Sequence, residues 1–169
     1  MKHFIKGSMA LLMICALMSG CYNPDLGSTW ARGTQLRLGV GTLQTIDQVS
    51  FTLKGKTRII RPEPGKKLVA LPVQIVNDRT GKALLFVDEK AALLRDVRSR
   101  SYSPIDPFSR SSEVSEPANK EEVFTPFLWG NFSLEQHFEV AGWLIFEVPP
   151  DREWLEFEWR QGDLIIARF

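Results

Sequence analysis

Over most of its length the chain consists of short stretches in which apolar and polar residues alternate with a period of two. Examples are Leu36, Leu38 and Val40, and then Val49 and Phe51. Successive side chains of a strand point to opposite faces, so this period predicts strands with one buried face. Turn-forming residues separate the stretches, and a sustained helical period is nearly absent. The pattern predicts an all-β, antiparallel β-sandwich rather than a βαβ fold.

One stretch, "KKLVALPVQIVND" (residues 66–78), carries apolar residues at both parities. A strand that is apolar on both faces is typical of the middle of a sheet covered on both sides. Pro72 lies inside this stretch and has no N–H to donate, which predicts a bulge or an unpaired position there. Later in the chain, Leu155, Phe157 and Trp159 alternate with polar residues, and this predicts a strand with one buried and one wet face.

The first twenty residues have a different character. Lys2 and Lys6 precede a run of ten apolar residues, Met9 to Met18, which is followed by Ser19. A membrane-spanning helix needs about 20 apolar residues. The positive start and short apolar run are those of a secretory signal peptide over residues 1–20.

Cys21 follows the small residues Ser19 and Gly20. This arrangement resembles the bacterial lipobox, with Met18 in the place of the usual leucine. The resemblance implies a lipid anchor: Cys21 would carry a diacylglycerol and an N-acyl chain such as palmitate. Tyr22 is not the aspartate associated with inner-membrane retention, so the resemblance favours the outer membrane. The alternative is a soluble secreted protein whose cleavage site happens to lie near a cysteine.

Removal of residues 1–20 would leave 149 residues with 19 basic and 20 acidic side chains, a formal charge of −1. Cys15 and His3 leave with the signal, so the mature chain has one cysteine and one histidine. This composition excludes a disulfide framework, a cysteine-rich metal site and a cysteine nucleophile. No clustered basic face suggests nucleic acid as a partner, and no motif calls for a cofactor.

The organisation predicted from composition has three parts. Residues 21–33, rich in Gly, Pro, Asn and Asp, are expected to be a flexible tether. Residues 34–169 form the β-sandwich domain. Within that domain, the serine- and proline-rich residues 98–120 are expected to be a mobile loop.

Two stretches, residues 61–86 and 127–159, resemble the bacterial extracytoplasmic β-sandwich family named domain of unknown function 4352. The family is telokin-like and immunoglobulin-like. Its Gly-Lys-led strand ending in Asn matches Gly65, Lys66 and Asn77, and its later strand ending in Val-Pro matches Val148 and Pro149. The resemblance implies an architecture and an extracytoplasmic address, and it brings no catalytic residues.

His137 lies between Glu135 and Glu139. If this segment is a strand, the three side chains share one face and could form a metal or acid–base site. A solvated strand face is the favoured interpretation. Four glutamates near the serine-rich segment lack calcium-loop spacing and are interpreted as a solvated acidic loop; they are Glu113, Glu116, Glu121 and Glu122. No catalytic or metal-binding residue is therefore predicted.

The aromatic residues of the last third are expected to fill the core for the most part; they are Phe127, Trp129, Phe132, Trp143, Trp154 and Trp159. Trp143 and Trp154 are out of phase with their apolar neighbours, so these two are the candidates for a surface position.

The sequence thus predicts a lipid-anchored, non-enzymatic envelope protein that binds an envelope partner of unknown identity. Residues 98–120 or exposed aromatic residues would form the contact surface. The alternatives are a hydrolase or metal-dependent enzyme built around His137, and a structural or antigenic coat lipoprotein.

Overall fold

A computed structural model describes residues 29–115 and 122–169. Within these ranges the backbone forms fourteen β-strands and no α-helix. Every ladder between these strands is antiparallel. The prediction of an all-β, antiparallel, immunoglobulin-like β-sandwich is confirmed.

The first sheet is built around one long central strand. Its five strands are β1 (Thr29–Arg32), β2 (Leu36–Val40), β3 (Gln44–Ile46), β6 (Lys67–Asn77) and β12 (Glu139–Val148). β12 pairs along the whole of β6 on one edge, whereas β2 and β3 share the other edge. β1 extends the sheet beyond β2. The apolar pattern of β6 therefore belongs, as predicted, to the middle of a sheet.

Pro72 stands where the pairing partner of β6 changes. The β2 ladder ends at Val73 and the β3 ladder begins at Ala70, so Pro72 falls in the gap between them. Its carbonyl oxygen accepts a hydrogen bond from the Gly41 N–H at 2.9 Å. On the other side of β6, Pro72 lies opposite Trp143 of β12. Proline has no N–H to donate, so no ladder hydrogen bond is lost in the gap between β2 and β3, and on this side of β6 the predicted unpaired position is confirmed.

A second layer faces this sheet. It contains β7 (Lys82–Val87), β8 (Ala92–Asp96), β9 (Ser101–Tyr102), β11 (Gly130–Glu135), β13 (Trp154–Trp159) and β14 (Ile165–Arg168). The order β14-β13-β8-β9 forms one sheet, and β7 and β11 form a separate pair. The main core lies between the two layers, and its largest fully buried side chains include Trp159, Phe146 and Phe157.

A third, smaller layer covers the other face of β6 and β12. It is formed by β4 (Val49–Leu53), β5 (Lys56–Ile60) and β10 (Ser112–Val114). Beneath it a second apolar cluster contains Val49, Phe51, Ile60, Leu68, Ala70, Phe124, Trp143 and Ile145. The prediction that this central strand is covered on both faces is therefore confirmed.

Gly142 lets a neighbouring backbone segment pass close to β12. A Cβ at this position would lie 2.8 Å from both the Leu128 nitrogen and the Pro126 oxygen. Through this approach the Trp143 N–H donates to Pro126 at 2.9 Å and the Leu128 N–H donates to Trp143 at 3.0 Å. Only glycine allows the contact without displacing the backbone.

Part of the segment predicted to be a flexible tether, residues 21–33, is a strand. Thr29–Arg32 forms β1 and pairs in register with β2, from Thr29 opposite Val40 to Arg32 opposite Arg37. Alternation over four residues is too short a signal to separate an edge strand from a linker. Residues 21–28 lie outside the described part of the chain.

The expectation of a mobile loop over residues 98–120 is wrong for its first part. This region contains β9 and β10, which pair with β8 and β5. Between them the Ile105 N–H donates to Ile145 at 2.8 Å, and Pro104 forms a bridge with Phe146. A high content of serine and proline indicates a low local propensity for strands or helices. Here the hydrogen bonds to distant strands order the segment in spite of that low propensity. Residues 116–121 are outside the described ranges.

β13 differs from its prediction at its first half. Its register with β8 shifts between Trp154 and Glu156, so Leu155 is exposed while Phe157 and Trp159 are buried in the main core. The opposite face is not wet, because Glu156 and Glu158 are only 8% and 7% exposed.

Candidate functional site

Cys21, the predicted lipidation site, lies outside the described residues. Residues 29–115 and 122–169 contain no helix long and apolar enough to cross a membrane.

His137 is not part of a strand. It lies in the turn between β11 and β12 with a φ of 69°, where Glu135 ends one strand and Glu139 begins the next. The three side chains therefore do not share the face of a single strand. Within the described ranges no group of three His, Cys, Asp or Glu side chains is placed to hold a metal ion. The strand interpretation of residues 135–139 was wrong because the alternation continues across a turn.

The backbone of this turn is held by Asn77, the last residue of β6. The His137 N–H donates to the Asn77 carbonyl at 2.7 Å. The buried Asn77 amide donates to Thr80 at 2.8 Å and to Leu134 at 2.9 Å, while its oxygen accepts from the Thr80 N–H. Buried polar groups are stable only when hydrogen-bonded in this way. The His137 region is thus a structural corner that joins β6–β7 to β11–β12.

Trp143 is buried rather than exposed, with 2% of its surface accessible. It packs edge-on against Phe124, with 5.0 Å between ring centroids, in the second cluster. Both faces of β12, like those of β6, are covered by apolar clusters. Trp143 points to the second cluster, and the leucine that follows it in sequence points to the main core. The surface prediction for Trp143 was wrong for this reason. Trp154 is half-buried and packs edge-on against Tyr102 at 5.9 Å.

The remaining aromatic residues agree with the predicted core role, except Trp129, which belongs to neither apolar cluster. Trp159 is fully buried, whereas Phe127, Trp129 and Phe132 are half-buried. Phe127 packs edge-on against Phe51 at 5.0 Å. Phe108, from the predicted mobile loop, packs edge-on against both rings, and this places the loop on the third layer instead of in solvent.

Glu147 binds two connecting segments to β12, which is a strand of the first sheet. Its carboxylate accepts from the Glu63 N–H at 2.9 Å, from Lys66 at 3.1 Å and from Arg110 at 2.8 Å. Burial raises the pKa of Glu147, but these donors outweigh that effect, so the pKa lies below its ordinary value. The group is ionised and its bonding is satisfied within the protein, which is typical of a structural ion pair network.

Several other acidic side chains are also paired. Glu156 and Glu158 both bind Arg95, at 3.3 and 2.9 Å, and Glu158 also binds Arg160. In the predicted acidic loop, Glu113 pairs with Lys56 at 2.8 Å and Glu122 accepts a hydrogen bond from Gln48. Glu116 and Glu121 lie outside the described residues.

The outer face of β7 is the feature that sequence reasoning missed. Leu84 is 71% exposed and Phe86 is 53% exposed, while Ala83, Leu85 and Val87 between them are buried. Leu84 and Phe86 lie opposite the polar Ser133 and Asn131 of β11. The sequence did contain an indication of this surface. The stretch "ALLFV" (residues 83–87) is apolar at both parities, so no polar residue within it marks a solvent-facing side.

A shallow depression of about 350 Å³ lies along this surface. Its lining combines apolar and polar residues, namely Leu84, Leu85, Phe86 and Phe132 with Asn131, Ser133 and Gln161. On soluble proteins, exposed apolar patches bordered by polar residues often mark interaction sites. We call Leu84, Phe86 and this depression the β7 surface; it is the best candidate for a functional site in the described chain.

No protein-family model matches this chain, and no curated protein sequence matches it.

Several solved structures are similar in fold. One is ycdA of Bacillus subtilis, a candidate lipoprotein, with 15% identity and a TM-score of 0.49 over 83% of this chain. This chain spans 38% of the length of ycdA. A second is the secreted protein MPT63 of Mycobacterium tuberculosis, with 16% identity, a TM-score of 0.43, and coverage of 86% of this chain and 95% of that one.

A third is a functionally unknown protein of Listeria monocytogenes. It has 12% identity and a TM-score of 0.45, and the alignment covers 84% of this chain and 81% of that one. At these identities the likeness concerns the fold, and no function is carried from these proteins to this chain.

Proposed function

We propose that this protein is a lipid-anchored β-sandwich of the bacterial cell envelope that acts as a non-catalytic binding module, with the β7 surface as its contact site. The observation that carries the proposal is the exposure of Leu84 and Phe86 side by side on one strand. Burying a Leu or Phe side chain contributes about 1.5–3 kcal/mol. A partner that covers both would therefore gain a substantial part of a binding free energy.

The backbone of this region favours a protein partner. Within the described residues β7 and β11 pair only with each other, so the pair has edges that are not joined to either large sheet. An extended segment can add to such an edge through main-chain hydrogen bonds, and apolar pockets beside it select the side chains. We propose an envelope protein with an exposed apolar segment as the partner.

The proposal also includes a lipid anchor at Cys21 and a cellular location. Cys21, preceded by Ser19 and Gly20, would carry diacylglycerol and an N-acyl chain. A single acyl chain gives only marginal membrane attachment, whereas several chains together give a stable one. We place the protein at the outer membrane and in the family named domain of unknown function 4352.

The contact site is tested by site-specific photo-crosslinking in intact cells. A photoreactive amino acid at Phe86 should give a discrete crosslinked product, and the same group at the exposed Thr52 of β4 should not. Leu84→Ser should weaken the Phe86 product, because a hydroxyl replaces apolar contact area. Equal products from both positions, or no product from Phe86, would contradict the β7 surface as the contact site.

The anchor is tested independently with Cys21→Ser. This variant should lose incorporation of labelled fatty acid and should leave the membrane fraction. If it still fractionates with membranes and takes up label, the proposed anchor is wrong, whatever the crosslinking shows.

The absence of catalysis is also a proposal. His137 is exposed in a turn and its backbone, not its side chain, makes the observed contact. His137→Ala should therefore leave both the folding and the cellular phenotype unchanged. A lost phenotype in a folded His137→Ala protein would favour the enzyme alternative. If Phe86→Ser is also without phenotype, the structural or antigenic coat role becomes the better interpretation.

A further inference from the structure

The outer face of β1 and β2 presents a tryptophan in an unusual setting. Trp30 is 45% exposed although it lies on a paired strand, directly opposite Gly39. A Cβ at position 39 would lie 2.9 Å from the six-membered part of the indole, so the ring packs against the backbone of Gly39. Because Gly39 has no side chain, one edge of the indole packs directly on the sheet, and the rest of the ring stays exposed.

Two arginines, Arg32 and Arg37, line the same depression as this ring. Arg37 lies 5.0 Å from the centroid of the indole, within range of a cation–π contact. Arg32 and Arg37 share a single carboxylate, Asp78, at 3.5 and 3.6 Å. Charge-assisted hydrogen bonds are shorter, at about 2.7–2.9 Å. Arg37 Nε is buried and has no hydrogen-bond partner among the described residues, whereas 58% of the Arg32 side chain and 40% of the Arg37 side chain remain exposed.

The guanidinium donors of this surface are therefore only partly used. Arg79 is exposed at the same end of the sheet, where its N–H donates to Gln35. Counting Asp78 and the first residue of β12, Glu139, the group of five charged side chains has a formal excess of one positive charge. A planar guanidinium with free donors matches the geometry of a phosphate group.

The place of this surface along the chain indicates its partner. Cys21 precedes Thr29, the first residue of β1, by eight residues. A chain of that length spans at most about 29 Å when fully extended. If Cys21 is held in a bilayer, the surface of β1 is thus confined near lipid headgroups, and its contact with them becomes an intramolecular event at high effective concentration.

We infer that Trp30, Arg32 and Arg37 form a membrane-facing surface that docks on anionic phospholipid headgroups and orients the anchored domain. Tryptophan is favoured at the membrane–water interface because its ring is apolar and its N–H is polar. Arginines near an anionic lipid surface add electrostatic attraction. Docking through the first sheet would leave the β7 surface, on the second layer, directed away from the membrane and accessible to a partner.

This inference rests on the proposed lipid anchor, and the experiment separates the two. The mature lipidated protein is reconstituted into vesicles of phosphatidylcholine alone, or of phosphatidylcholine with phosphatidylglycerol. The acyl chains are brominated close to the headgroup end, so that they quench the fluorescence of any tryptophan at the membrane surface. Flotation of the protein with the vesicles measures the anchor. The part of the quenching that is lost in Trp30→Phe measures how close Trp30 lies to the bilayer.

The expected result is quenching of the Trp30 emission in anionic vesicles that decreases in neutral vesicles and at high salt. Arg32→Gln should lower the ratio of docked to undocked protein by roughly fivefold in anionic vesicles. Arg61→Gln is the matched control, because Arg61 is exposed in the connection between β5 and β6, which precedes β6, whereas Arg79 follows its last residue. Gly39→Ala keeps every charge and ring but displaces the indole, so it should also reduce quenching.

Protein that floats with vesicles but shows no Trp30 quenching would overturn docking while leaving the anchor intact. Equal quenching in neutral and anionic vesicles would overturn the role of the arginines. Trp30 emission that depends on the protein-to-lipid ratio in neutral vesicles would instead indicate a second copy of this chain as the occupant. Protein that does not float at all would refute the anchor, and the docking surface with it.

Discussion

β6 and β7 follow each other in the chain, and both are apolar at both parities, yet the fold treats them differently. β6 buries its main-core face against the second layer and its other face under β4 and β5. β7 buries Ala83, Leu85 and Val87 but leaves Leu84 and Phe86 in solvent. Two similar sequence patterns therefore end in one fully covered strand and one half-covered strand.

The difference shows what a two-sided apolar pattern means. Such a strand is expected to be covered on both faces. For β6 the chain itself supplies both covers, whereas for β7 it supplies only one within the described residues. The uncovered face of β7 is thus the place where a second molecule could supply the missing cover, and this is the physical basis of the proposed binding role.

The largest effect is expected on the main-core face of β6. Leu71 is fully buried there. Leu71→Ala removes three carbon atoms from a packed core and leaves a cavity, which lowers the free energy of unfolding by about 2–5 kcal/mol. Urea denaturation followed by circular dichroism measures the change. A loss below about 1 kcal/mol would contradict the packing of the main core.

The next effect tests whether the second face of β6 is truly covered. Leu68 is fully buried in the smaller cluster beneath the third layer. Leu68→Ala should cost about 2–3 kcal/mol, at the lower end of the core range because the smaller cluster can relax more easily. If the cost in the same urea measurement resembles that of an exposed leucine, the third layer does not cover this face in solution.

A smaller, pH-dependent effect on the free energy of unfolding is expected at Glu147, which binds two connecting segments beside the third layer. Its pKa lies below the ordinary value of 4.5. A depressed pKa stabilises the folded state above the unfolded-state pKa, and this stability is lost as the pH falls through the folded-state pKa. Glu147→Gln should therefore cost about 1–2 kcal/mol near pH 7, and the difference from wild type should narrow below about pH 4.5.

Urea denaturation of both proteins across pH 3–7 measures this difference. Glu113→Gln serves as the control. Glu113 and its ion-pair partner Lys56 are both exposed, so this pair is expected to contribute little to the free energy of unfolding. A difference between wild type and Glu147→Gln that stays constant with pH would show that Glu147 acts through shape rather than through its charge.

The smallest effect on stability is expected on the open face of β7. Leu84→Ala makes the same chemical change as Leu71→Ala, but at an exposed position it should alter the free energy of unfolding by no more than about 0.5 kcal/mol. Any loss of partner crosslinking in this variant then reports binding and not unfolding. A cost comparable to that of Leu71→Ala would mean that Leu84 is covered within the protein itself, and the comparison between the two strands would fail.

Much of the fold could be predicted from local pattern. The alternation at Leu36, Leu38 and Val40, the two-sided apolar pattern of β6 and the unpaired position of Pro72 all agree with the structure. Trp143 could not be predicted, because a residue out of phase can equally face solvent or a second core. The answer depended on Phe124 and the third layer, which come from other parts of the chain.

The same reason explains the segment predicted to be mobile. Phe108 and Ile105 lie among serines and prolines, and nothing nearby in sequence indicates their partners. Those partners are Phe51 and Ile145, each about forty to sixty residues away. At His137 the error was the opposite one: a local alternation continued through a turn whose positive φ is supported by Asn77, which is remote in sequence.

The amino-acid sequence alone was sufficient for the fold class, for the central position of β6 and for the prediction of an anchor at Cys21, because each depends on local periodicity or a short motif. The covering of each strand face is a tertiary property, since it depends on elements that are distant along the chain. For that reason only the three-dimensional arrangement distinguished β6 from β7, buried Trp143, and left Leu84, Phe86 and Trp30 at the surface.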